Sequence, residues 1–209
     1  MKKALLTLIV ISVATIASFA QFIGIGARGG LNFANVTVNN NGSPGTAFSP
    51  EAKTGYQLAG IVEFGFNKFF SVVPEIIYSS QGFNLQSAGI QYKTTLNYIQ
   101  VPVLARLSLN LQRGRIFINA GPQLGLKTSL TTDLPGGGSI GGVSSSDFKS
   151  TDFGVVLGGG AGLDIGPGSV FTDIRYTLGL TNINTNNSLG DMKSGVFTIS
   201  LGYMFKFGL

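Results

Sequence analysis

From residue 21 onward, apolar residues recur at every second position in segments of ten or more, separated by clusters of turn-forming residues. That spacing is the mark of strands with one apolar and one polar face. Eight segments are predicted, at 22–36, 54–66, 69–83, 94–109, 115–127, 152–165, 169–183 and 195–207. The last is the clearest: Phe197, Ile199, Leu201, Tyr203, Phe205 and Phe207 share one face, and Thr198, Ser200, Gly202 and Lys206 the other. The second sets Tyr56, Leu58, Val62, Phe64 and Phe66 against Gln57, Glu63 and Gly65, and the seventh sets Ile174, Tyr176, Leu178 and Leu180 against Asp173, Arg175, Thr177 and Gly179.

The connections decide what the apolar face meets. Short turns at 67–68, 110–114 and 166–168 alternate with long polar stretches at 37–53, 84–93, 128–151 and 184–194. That rhythm predicts an all-β fold, an eight-stranded antiparallel up-and-down transmembrane β-barrel with short periplasmic turns and longer extracellular loops. Pro74, Pro102 and Pro122 fall inside predicted strands, where each removes a ladder donor, so bulges or local breaks are expected there.

Composition fits one such domain. Residues are 44% hydrophobic and 11% charged, yet beyond residue 20 no apolar run approaches the roughly 18 residues a spanning helix needs. There is no Cys, so burial and backbone hydrogen bonds must hold the fold. Lys2 and Lys3 precede an apolar run over 4–17, and Ser18-Phe19-Ala20 then supplies a small-x-small site before Gln21. This predicts a cleavable Sec signal peptide at 1–20 and a barrel domain at 21–209, which places the protein in the outer membrane of a Gram-negative bacterium. Removing the two signal lysines from the 14 Lys and Arg leaves 12 against 9 acids, too small an excess to point to nucleic acid.

The chain has no His, which excludes a Ser-His-Asp hydrolase and a zinc site built from His or Cys. A non-enzymatic protein without a cofactor is expected. Gly24, Gly26 and Gly29 spell GxGxxG, but a dinucleotide site also requires a following helix in a βαβ unit, so glycines relieving crowding in a strand are the expected reading. Asp133, Asp147 and Asp152 could offer calcium oxygens, although their spacing fits no standard loop. Aromatic belts are expected at Phe22, Phe64, Phe66, Phe69, Phe70, Phe205 and Phe207 on one side, and at Phe33, Tyr56, Tyr78 and Phe153 on the other. Lys53, Lys93, Lys127, Lys149 and Lys193 fall at the predicted outer ends, where ordinary solvated charge competes with contacts to lipopolysaccharide phosphates.

The chemistry that needs explaining lies on the inward faces. Arg28, Glu63, Glu75, Arg106, Asp164, Asp173, Arg175 and Lys206 form the predicted lumen charge network. Charges so placed must pair or meet water. They either line an ion path or lock a narrow lumen as a salt-bridged plug, and an eight-stranded interior, just wide enough for side chains, favours the plug.

Residues 62–83 (VEFGFNKFFSVVPEIIYSSQGF), 96–107 (LNYIQVPVLARL), 117–125 (FINAGPQLG) and 173–183 (DIRYTLGLTNI) together resemble the PorT-like, porin-like outer-membrane β-barrel family of Bacteroidetes. Glu75, Pro102, Gly121, Pro122, Arg175, Tyr176 and Gly179 carry the likeness, while position 100 holds Gln where the family favours an acid. The resemblance implies an outer-membrane barrel and, by analogy with the family's namesake, an accessory role in protein secretion. The sequence alone favours a membrane-anchored structural or interaction protein that meets lipids and partners through its loops, with a narrow channel for ions or very small solutes as the alternative.

Overall fold

The computed structural model describes residues 19–39, 51–87, 90–133, 151–181 and 191–208. Residues 1–18 of the predicted signal segment lie outside them. Eight strands follow in order: β1 (Phe22–Asn39), β2 (Glu51–Gly65), β3 (Phe70–Ser87), β4 (Ile90–Leu111), β5 (Gly114–Asp133), β6 (Thr151–Ile165), β7 (Gly168–Gly179) and β8 (Asp191–Gly208). Each pairs antiparallel with its neighbour, and β8 returns to β1, so the sheet closes into a barrel and leaves no edge.

The alternation read from the sequence is the alternation of the wall. On β8, Val196, Thr198, Ser200 and Met204 are buried, while Phe197, Ile199, Leu201, Phe205 and Phe207 are exposed. The outer face is a continuous apolar surface. Its polar groups have been turned inward, and the lumen core is a cluster of Ile61, Val73, Leu104, Phe117, Val156, Phe171 and Met204.

One end is closed by tight turns. β4 and β5 are joined by Gln112 and Arg113 alone, and β6 and β7 by Gly166 and Pro167. Gly166 takes φ 60°, which a type II′ hairpin requires at that position and which Gly adopts without steric cost. Between β2 and β3 the Asn67 side chain accepts the Phe69 and Phe70 amides, each at 2.8 Å, an Asx-type closure.

The other end departs from expectation. The predicted long loop at 84–93 is a hairpin: Asn84 pairs with Lys93, Leu85 with Tyr92, Gln86 with Gln91 and Ser87 with Ile90. Only residues 88–89, outside the described segments, remain between β3 and β4. Likewise β5 runs on to Asp133, and Thr132 pairs with Thr94. The two arms of the hairpin do alternate, Phe83 and Leu85 against Asn84 and Gln86, Ile90 and Tyr92 against Gln91 and Lys93, but each run is short and rich in polar residues, which is also the composition of a loop. At 22 and 20 residues, β4 and β5 are about twice the 9–11 residues that cross a bilayer. β7, predicted to reach 183, stops at Gly179, and Leu180 and Thr181 bond to the Phe153 carbonyl instead.

The prolines break the ladder without shifting it. Pairing of β2 with β3 passes from Ile61↔Glu75 to Phe64↔Val72, skipping the position of Pro74. It skips Pro102 between β3 and β4, and Pro122 between β4 and β5. Each proline does pair on its other side, with Val103, Gln123 and Val155 respectively. The two register shifts lie elsewhere, near Ala52/Tyr56 and at Asn97/Tyr98.

The Gly24-Gly26-Gly29 pattern lies wholly inside β1 and opens no helix. Inward glycines instead make room for large lumen groups. A Cβ on Gly160 would collide with the Thr172 carbonyl and come within 2.6 Å of the Phe117 ring. We predict that Gly160→Val costs at least about 1–3 kcal/mol by overpacking, read as a lower urea midpoint of the detergent-folded barrel.

Candidate functional site

Inward-facing residues from every strand but β6 meet in two layers of charge. Toward the tight-turn end, the Glu63 carboxylate of β2 is gripped by two guanidinium groups. Arg115 of β5 donates both terminal nitrogens to it, each at 2.7 Å, Arg106 of β4 donates at 3.0 Å, and the Ser71 hydroxyl adds a bond at 2.8 Å. Arg106 also donates Nε to Asn119 at 2.9 Å and lies over the Phe117 ring, 4.3 Å from its centroid.

Deeper in the barrel, Glu75 of β3 accepts from Arg28 of β1 at 2.9 Å and from both terminal nitrogens of Arg175 of β7, at 2.8 and 2.9 Å. Arg175 donates Nε to Asp173 at 2.7 Å, and the Ser200 hydroxyl bonds the other Asp173 oxygen. Beyond this layer, Asn32 is held between Ser79 and Thr198, each at 2.9 Å. The Glu63 and Glu75 side chains are 0% exposed, and the paired arginines at most 3%. Such pairs are largely shielded from bulk water, and their worth depends on complete hydrogen bonding.

Of the eight predicted lumen charges, the structure brings six together in these layers: Arg28, Glu63, Glu75, Arg106, Asp173 and Arg175. The other two sit at the tight-turn rim. Lys206 lies 3.5 Å from Asp164, with side chains 30% and 51% exposed, and Ser169 donates to Asp164 at 2.6 Å. Asp164 is therefore a surface residue and not a lumen one, because β6 ends one residue later, at Ile165. The reading missed Arg115, although its parity with Asn119 and Gln123, both buried, was the available signal.

Among the described residues, cavities flank the layers. One of about 80 Å³ lies at the tight-turn end against Glu63, Arg115 and Lys206; one of about 10 Å³ lies on the far side of Glu75, against Arg28, Gln57, Gln100, Gln123 and Arg175. Gln100 is thus buried in a polar setting, lining the same cavity as Arg28 and Arg175.

The aromatic residues fall in two bands. Tyr56 on β2 with Phe66 just past its end, and Phe197 with Phe207 on β8, lie roughly ten residues apart, the length of a bilayer-crossing strand, whereas Phe22, expected in the belt, shares the inward parity of Gly24 and Arg28 and lines a cavity at the tight-turn end. Phe33 and Phe197 approach to 6.3 Å between ring centroids, and Tyr56 and Tyr78 to 6.4 Å. Phe64, expected in the belt, is covered instead, at 7% exposure. Among the described residues no three of His, Cys, Asp and Glu gather as a metal site, and Asp147 lies outside them. Of the five lysines at the outer ends, Lys149 also lies outside them, and Lys53, Lys93 and Lys193 belong to strand ends whose side chains are not described.

Residues 19–184 match the model of the outer membrane protein β-barrel domain family. The fold is similar to two solved barrels. OprG of Pseudomonas aeruginosa is 12% identical with a TM-score of 0.53, covering 91% of this chain and 97% of its own. Neisserial surface protein A is 14% identical with a TM-score of 0.52, covering 90% and 98%. No curated protein matches in sequence.

Proposed function

Since the chain belongs to the outer membrane protein β-barrel domain family and its closed eight-stranded wall sits in the outer membrane, we propose that it works as a non-enzymatic membrane anchor whose outer end carries the recognition surface. The carrying observation is the occluded lumen. Two enclosed ion-pair layers and an apolar cluster fill the cross-section that a conducting pore would have to leave open.

The outer end is the one reached by the long connections at 40–50, 134–150 and 182–190, as in barrels with short periplasmic turns. The β3–β4–β5 wall extends past the bilayer-crossing length at that end. Recognition surfaces commonly sit on such segments, held by a rigid scaffold. Lipids of the membrane are the partners of the apolar face, and the outer-end lysines suit lipopolysaccharide phosphates, with Lys127→Ala expected to raise detergent sensitivity if they meet. The PorT-like patches at 74–79 and 175–180 keep an accessory role in secretion as a finer version of the same reading, by analogy alone.

Proteoliposome swelling tests the proposal. Vesicles holding the barrel should swell in arabinose or glycine no faster than protein-free vesicles. Swelling that rises with the amount of barrel would replace the anchor with a narrow porin-like channel.

A further inference from the structure

The two charge layers are not balanced alike. Arg28 and Arg175 face Glu75 and Asp173, two cations against two carboxylates. Around Glu63, Arg106 and Arg115 share a single carboxylate, and the rim pair of Lys206 and Asp164 cancels itself. Among the described residues, one buried guanidinium charge at the tight-turn end is therefore left without an anion, which is costly in an enclosed site. The same layer holds donors that no protein atom satisfies: Arg106 Nη2 and Arg115 Nε are both buried and unpartnered.

The about 80 Å³ cavity opens beside this imbalance. Arg115, Lys206, Lys68 and Ser108 line it with donors, and Glu63, already saturated by two arginines and Ser71, is its carboxylate. Phe22, Phe69 and Phe70 line it as well, at the tight-turn end of the wall. The space exceeds that of a single water, and the donors suit a tetrahedral oxyanion with several acceptor oxygens.

We propose that this cavity is an anion site that takes a phosphate group, supplied either by a phospholipid of the inner leaflet or by free phosphate in the periplasm. The bound group supplies the negative charge that the Glu63 layer lacks, while Lys68 and Lys206 draw it in from the rim.

Inorganic phosphate is titrated calorimetrically into the barrel in a nonionic detergent free of phospholipid. One saturable site per barrel is expected, at least tenfold weaker in Lys68→Gln/Lys206→Gln, whose lysines take no part in gripping Glu63. Ser108→Val, which leaves every charge in place, should weaken binding severalfold with an unchanged heat-dependent gel shift. The titration is repeated in phosphatidylglycerol nanodiscs, with native mass spectrometry counting retained lipid. Loss of phosphate binding with one lipid retained per wild-type barrel identifies the headgroup as the source; unchanged binding identifies free phosphate. No saturable binding in detergent together with no retained lipid, or equal binding by both variants and the wild type, overturns the proposal.

Discussion

Glu63→Ala lowers the stability of the folded barrel by about 3–5 kcal/mol, the cost of leaving buried charge uncompensated. Its removal strands Arg106 and Arg115, 0% and 3% exposed, with no other carboxylate within ion-pair distance among the described residues. Glu75→Ala should cost less, because Asp173 still holds Arg175. Replacing the whole cluster, as Glu63→Leu/Arg106→Met/Arg115→Met, should recover most of the loss, since an apolar cluster of similar volume carries no desolvation penalty. Urea midpoints in detergent distinguish these cases. A Glu63→Ala protein as stable as the wild type would mean that the layer is hydrated and its charges independent.

Leu201→Arg is the second large effect, about 2–4 kcal/mol for the barrel unfolded from a bilayer, as expected for a cation at the lipid-facing midplane. Leu201 is 63% exposed on the outer face of β8, level with Gly29 on β1 and Thr172 on β7. Its inward neighbour Ser200 is 3% exposed and touches Arg28. Leu201→Phe should be nearly neutral. An arginine tolerated at 201 without loss would place that face away from lipid.

Eight strands were legible because lipid on one side and a packed lumen on the other impose period two on every segment that crosses. Short runs were harder to read. Residues 84–87 and 90–93 pair as a hairpin, and Leu85, Ile90 and Tyr92 do alternate with Asn84, Gln86 and Gln91, but runs of four residues on either side of Ser87-Ala88-Gly89 were outweighed by their polar, turn-forming composition. The prolines were legible as ladder breaks from chemistry alone, whereas their alignment on β3, β4 and β5, each gap turned toward the preceding strand, depends on register. Within the lumen, parity identified Arg28, Glu75 and Arg175, but parity cannot tell which charges share a layer. Glu63 and Arg115 are 52 positions apart and meet only because the closed sheet sets β2 and β5 across the lumen. Asp164 had the right parity and the wrong depth, since depth depends on where a strand stops.

The occluded lumen is tested most directly by single-channel recording of the folded barrel in a planar bilayer. Insertion verified by the heat-dependent gel shift, with no discrete conductance steps across the voltage range, is the result the ion-pair layers predict. Reproducible openings that change when Glu75 is replaced by Gln would contradict it and make the lumen charges the lining of a channel.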